Sequence, residues 1–207
     1  VTDTAPTLGR RERKKLQTRK ALAEAALKLF LERGYDDVTV AEIAEEADTA
    51  VTTLFKHFPD GKESLAFHGG IELELGGVAE REDRGAALAA AIRDRGEGVR
   101  VLDALEAFIG QRGVFSPGKF SQRFDQQLDL IRRTPALRAY ARRQWIDAQD
   151  AVVAAMAEAS GIDAGDPALR ALARYVLETP NILGGDANAR AALHAVFDRL
   201  RAGWPEL

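Results

Sequence analysis

At 207 residues the chain has room for one large domain or two small ones around a sizeable core. Its 46% hydrophobic and 29% charged content is ordinary for a soluble protein, and the absence of cysteine excludes disulfides, zinc–thiolate sites and thiol nucleophiles together. A net charge of -3 does not announce a nucleic-acid binder, so the distribution of charge has to be read instead.

Residues 1–9 are small and polar and are expected to be disordered. Arg10, Arg11, Arg13, Lys14, Lys15, Arg19 and Lys20 then crowd into one short basic stretch, either a solvated helix start or an electrostatic footprint for nucleic acid. The pattern is helical from about Arg11 to Arg33, with Leu22, Ala25, Ala26, Leu29 and Phe30 on one face. Gly34 stands where a left-handed cap belongs, and Tyr35 is the apolar residue that closes it.

Two short amphipathic segments follow in Val38–Phe58. Val40, Ile43, Ala44 and Ala47 share one helix face, and Val51, Leu54, Phe55 and Phe58 share another, which places Phe55 mainly in the core. Between them Ala47-Asp48-Thr49-Ala50 has the length of the turn in a helix-turn-helix. Thr39 and Glu42 form a capping box that starts the first helix at Val40. The segments 11–33, 40–47 and 50–58 therefore make a three-helix unit whose last member presents its first turn to a major groove. Pro59-Asp60-Gly61 ends it as a turn.

Beyond this the chain reads as helix after helix. Lys62 to about Leu75 is one, weakened by Gly69-Gly70, which would let a ligand approach, the helix bend, or two helices cross closely. Val78–Arg95 is the next, with Ala87, Leu88, Ala91 and Ile92 apolar, and Val101–Gly110 is a short one. Ser116-Pro117, Thr134-Pro135 and Asp166-Pro167 each pair a cap residue with proline at the first helical position. The helix from Pro135 is expected to reach about Ser160 and stop at Gly161, and the helix from Pro167 to kink or stop near Pro180. Asp186 is expected to cap a last helix over 187–203, with Ala192, Val196 and Leu200 inward.

In order along the chain, Thr18-Arg19, Ala25-Ala26, Leu29-Phe30, Gly34-Tyr35, Thr39, Ile43-Ala44, Ala47, Thr53, Phe55, Phe58, Lys62-Glu63 and Leu65 resemble the TetR family of bacterial transcriptional regulators. The resemblance covers about the first third of the chain. It implies an all-α protein of nine or ten helices. A DNA-binding domain over 1–61 would precede an effector-binding and dimerisation domain over 62–207. It implies a homodimeric repressor, paired through its last two helices on an inverted-repeat operator and released by a small, largely apolar or aromatic ligand.

Matched by position, Ala50, Val51 and Thr52 face bases, and Thr39, Thr53, His57 and Lys62 touch the backbone, Thr39 serving equally as an N-cap. Only Lys56 reaches a guanine edge easily, and Arg13 and Lys14 of the basic arm add phosphate or minor-groove contact. Phe55 replaces a usual tyrosine, Asp48 a usual glycine and Ala50 a usual serine cap. Gly61 resembles an insertion that alters how the following helix leans on the unit. For the effector the aromatic-rich middle offers Phe108, Phe120, Phe124, Leu128 and Trp145, with His68, Gln127 and Gln144 as polar anchors, although most such rings simply fill a core.

No cofactor, metal ligand set or catalytic residue is expected. His57, His68 and His194 are scattered, and His68 with Glu72 is too weak a pair to specify a metal. The acidic run Glu72, Glu74, Glu80, Glu82 and Asp83 reads as a solvated face. With no apolar run near the roughly 18 residues of a membrane span, a cytoplasmic location without membrane contact is expected. An all-α enzyme and a helical protein-binding adaptor stand as the alternatives.

Overall fold

The computed structural model describes residues 9–68, 84–116 and 121–204, and these are helical, with no strand among them. The helices are α1 (Arg10–Arg33), α2 (Val40–Glu46), α3 (Val51–His57), α4 (Lys62–His68), α5 (Arg84–Arg93) and α6 (Val101–Gly110). After a 3-10 turn at Gly113–Phe115 come α7 (Gln122–Arg133), α8 (Pro135–Ile146), α9 (Gln149–Ser160), α10 (Pro167–Leu183) and α11 (Ala189–Gly203). Gly69-Gly70, Phe120, Glu72 and the rest of the acidic run lie outside the described residues.

The chain divides into two compact units. Unit one is Val1–Gly76 with Phe120–Leu137. Its core takes Leu22, Ala26, Leu27 and Phe30 from α1, Ile43 and Ala44 from α2, Leu54 from α3 and Leu65 from α4. Leu130 and Ile131 of α7 and Leu137 at the start of α8 complete it, so a segment from mid-chain returns to the N-terminal helices. Unit two is Gly77–Lys119 with Arg138–Leu207, and α5, α6, α9, α10 and α11 supply its core. There α5 packs on α9, and α11 packs on α6.

Several local signals act as their chemistry dictates. The Thr39 hydroxyl accepts from the Glu42 amide at 3.3 Å while Glu42 takes the Thr39 amide at 2.8 Å, closing the capping box. Asp166 accepts from the Ala168 and Leu169 amides at 2.7 and 2.9 Å, with Pro167 at the first helical position. Gly161 ends α9 in the left-handed region.

Other expectations are corrected. Gly34 has φ 90° and ψ 155°, a positive-φ conformation that favours glycine but lies outside the left-handed helical well, and its amide still bonds the Phe30 carbonyl while Tyr35 packs on the Phe30 ring at 5.1 Å. Ser116 follows the 3-10 turn, the helix start expected at Pro117 lies outside the described residues, and the next described helix is capped by Ser121, which accepts the Phe124 amide at 3.2 Å. The single helix expected over 135–160 is two, broken at Asp147-Ala148, where Ala148 bonds back only three residues to Trp145. The core partners change before the break: Leu137 belongs to the first core, whereas Trp145 and Ile146, still on α8, already pack on the second with Ala148, Val152, Val153 and Met156.

Pro180 does not stop α10, which runs on to Leu183 with the ring buried. The last helix starts at Ala189 after Asn188, because Asp186 spends its carboxylate on the Asn188 amide at 2.7 Å. It buries Ala189, Leu193 and Phe197, one position round from the expected face. The phenyl ring of Phe197 decides the rotation, being far larger than the methyl of Ala192. Ala192 and Val196 are left half-exposed on the flank.

Candidate nucleic-acid interface

The helix-turn-helix is built by the α2–α3 turn. The Asp48 backbone is left-handed at φ 48°, a conformation Asp tolerates better than most residues, so it serves where glycine is usual. The Thr49 amide returns to the Ala44 carbonyl at 2.9 Å, tightening the corner. Val51 half-buries against the first core and Leu54 is fully buried, anchoring α3 along one side. The opposite side exposes Thr52, Phe55 and Lys56, positions i, i+3 and i+4 of one helical stripe, with exposed Ala50 just before it. Phe55 is therefore not core: it is 44% exposed, because Leu54 and Phe58 already fill the buried side.

Ala50 is the N-cap of α3, and its methyl caps none of the first-turn amides. Ala50→Ser should stabilise the protein by about 0.5–1 kcal/mol, read as a higher urea midpoint with unchanged slope. A lower midpoint would show that the corner has no room for the serine rotamer.

Beside α3, α1 supplies positive charge. No residue from Arg10 to Ala21 is buried, so about 18 Å of helix carries Arg10, Arg11, Arg13, Lys14 and Lys15 ahead of the core. Arg13 and Lys14 are exposed. Further along, Arg19 donates to the His68 ring at 3.1 Å and lies 5.0 Å over the Phe58 ring, while Phe58 and His68 pack at 5.3 Å. His68 thus clasps α4 to α1, a role that its spacing in the sequence did not reveal.

His57, on the last turn of α3, is half-buried. Burial holds its pKa below the usual imidazole value, and Arg19, Lys15 and Lys56 push the same way. Thr53 is half-exposed on the same helix. The Thr39 hydroxyl is engaged by Glu42, donating to its carboxylate at 2.7 Å. Those bonds to Thr39, with Arg33 at 2.7 Å, hold the Glu42 carboxyl down at about 2.

Lys62 turns away from the basic surface. Its Nζ donates to the Tyr35 carbonyl at 2.6 Å and sits 4.3 Å from the Tyr35 ring centroid, tying α4 to the end of α1. Gly61, at φ 66°, makes the turn that points it there. Burial, then the charges of Glu63 and Asp36, push the Tyr35 hydroxyl up to about 12. A raised folded-state pKa gives stability that is complete below the ordinary value of 10.0 and lost as pH rises through about 12. Alkaline titration of stability should show this loss of roughly 2–3 kcal/mol, and Tyr35→Phe should flatten it. An identical alkaline limb in the variant would mean Tyr35 is not its source.

The residues expected at an effector site are divided. In the first unit Phe124 and Gln127 are fully buried and Leu128 is half-buried. The Gln127 amide donates to the Ala66 carbonyl of α4, and its Oε1 is buried without a partner among the described residues. In the second, Phe108 is core and lies beneath the Arg112 guanidinium at 3.3 Å. Trp145 is half-buried beneath Arg84 at 4.3 Å, and Gln144 is half-buried. Among the described residues no group of three or more acids or histidines is placed to hold a metal, and no helix is long and apolar enough to cross a membrane.

Comparison with known proteins agrees with this geometry. Residues 22–68 match the family model for bacterial regulatory proteins of the tetR family, and residues 99–205 match the MftR C-terminal domain. The HTH-type transcriptional regulator TcmR of Streptomyces glaucescens is 31% identical over 164 residues, spanning 76% of this chain and 67% of that protein.

The chain belongs to the TetR family.

It is thus a TetR-family transcription regulator, and the matched residues 22–68 are those of the helix-turn-helix unit. Among solved structures, Salmonella enterica GusR is similar at 20% identity and a TM-score of 0.46, covering 90% of this chain and 93% of its own. A gamma-butyrolactone receptor described as ArpA-like is similar at 21% identity and a TM-score of 0.34, covering 92% and 99%.

Proposed function

We propose that this TetR-family protein is a homodimeric repressor that binds an inverted-repeat operator and releases it when a small, largely apolar or aromatic ligand binds. The exposed stripe of α3 beside the cationic start of α1 carries the reading. Ala50, the methyls of Thr52 and the Phe55 ring suit thymine methyls, and Lys56 reaches a guanine edge. Val51 contributes only the part of its side chain that leaves the core. Thr53 and His57 face the phosphate backbone, and Thr39 does so only if its hydroxyl leaves Glu42.

Arg13 and Lys14 stand on a regular helix about 10–12 Å across, too wide for a minor groove of about 6 Å, so they meet phosphates. Lys62, held on the Tyr35 carbonyl, meets a phosphate only if its Nζ leaves that bond. Residues 1–61 carry the DNA-reading surface, and 62–207 carry effector binding and pairing. For the effector, the unpartnered Gln127 Oε1 suits a ligand that joins an apolar body to a hydrogen-bond donor. Phe124 and Leu128 share its helix, and Phe108, Gln144 and Trp145 are tested separately, as ligand-lining residues within the second unit.

For pairing, α10 exposes Tyr175 at 46% and Ile182 at 60%, and α11 leaves Ala192 and Val196 outside the core cluster. Apolar surface of that kind on two helices suits a four-helix bundle between copies.

Selection of bound duplexes from a random pool tests the reading. Inverted repeats should be recovered, with half-sites about 34–36 Å apart or a multiple of that. Val51→Ala and Lys56→Ala should each relax preference at particular bases. Recovery of unenriched sequence would end the operator assignment, and unchanged preference in both variants would end the assignment of base contacts.

A further inference from the structure

His57 is placed differently from the other groups on the DNA-facing side. Its Nδ1 is buried with no partner among the described residues, so Nε2 is the ring nitrogen left to meet a ligand. Lys15 and Arg19 of α1 and Lys56 of α3 act on the ring, and on α4 the titratable neighbour is His68, one contact further away through Arg19. Arg19 is held in place by His68 and Phe58, so its charge stays beside the ring instead of swinging into solvent. In the unbound protein the charged imidazolium therefore meets fixed like charge and a dry nitrogen without an acceptor.

A phosphate docking on these cations reverses both effects. It offsets the charge of Lys15, Arg19 and Lys56, and it gives Nε2–H an anionic acceptor. One phosphate charge about 4 Å away favours the protonated ring by roughly fivefold where bulk water screens the pair, and by more where the protein surface excludes it. We propose that His57 takes up a proton as the duplex docks, making DNA affinity increase as pH falls through the neutral range. The inference rests on the DNA-binding reading above and adds to it a charge that the unbound protein lacks.

Because phosphate contacts are independent of sequence, a synthetic duplex of random sequence at low salt is a sufficient probe. Calorimetry near pH 7 (about the range where histidine switches) in buffers of differing ionisation enthalpy counts the protons bound. The wild-type protein should take up a measurable fraction of a proton per protomer. Its affinity should rise roughly three- to tenfold more than that of His57→Gln between about pH 8 and about pH 6. Duplex binding without proton uptake, or uptake that persists in His57→Gln, overturns the inference and leaves the DNA-binding reading standing. Should the variant not fold, the His57 ring resonances of the wild-type protein serve instead. A higher pKa in the complex supports the inference, and an equal or lower one overturns it. Failure to bind any duplex defeats the DNA-binding reading, and the inference with it.

Discussion

Arg201→Met should melt about 6–12 °C below the unsubstituted protein. The Arg201 side chain is only 13% exposed, and it donates from Nε to Asp103 at 2.6 Å, from Nη1 to Asp198 at 2.9 Å and from Nη2 to Glu106. These bonds hold α11 on α6. Taking the cation away leaves Glu106, itself 18% exposed, with the exposed His194 at 2.9 Å as its one ionic partner among the described residues. Breaking a buried pair from one side costs about 3–5 kcal/mol, and the exposed Asp198 adds little. The lower end, about 3 kcal/mol, gives the stated shift for a chain of this size. Adding Glu106→Gln should restore part of the loss, because the stranded charge is then gone. A melting curve for Arg201→Met that overlies the unsubstituted one would show the network to be mere surface decoration.

Alanine at both Arg13 and Lys14 should lower the slope of log affinity against log salt by about 1.8, since each phosphate neutralised contributes about 0.9. At moderate salt the loss of affinity should be roughly ten- to a hundredfold. The recovered operator sequence should not change, because both side chains lie on the exposed start of α1 and are assigned to phosphates, which carry no sequence information. Fluorescence anisotropy across a salt series measures the slope. A slope that stays the same would place these cations off the duplex, and an altered base preference would place them in a groove.

Much of this architecture was legible in the letters alone, since helix punctuation is local chemistry. Thr39 with Glu42, Asp166 with Pro167, and Gly161 each act through neighbours a few positions away, so no tertiary knowledge was needed. The failures are tertiary. Phe55 has the spacing of a core residue, yet Leu54 and Phe58 already occupy the space behind α3. The last helix has two overlapping apolar stripes, and only the pocket that receives Phe197 tells which one turns inward.

Within the interface, the position of α3 was legible, but the work of Lys62 and His68 was not. Each looked like a group meant for a ligand. His68 is held by Arg19 of α1 and Lys62 by the Tyr35 carbonyl just beyond that helix, and such pairings join positions far apart in sequence. Nothing in the local pattern encodes them.

The return of α7 to the N-terminal helices has a consequence for biosynthesis. Until the ribosome has released Leu130, Ile131 and Leu137, the helix-turn-helix unit lacks part of its apolar backing and must wait, half-assembled, for a segment about seventy residues further along to emerge. Expressing only the segment up to Gly61 would make that waiting state permanent, so a short reporter fusion of this region should be prone to proteolysis and clumping.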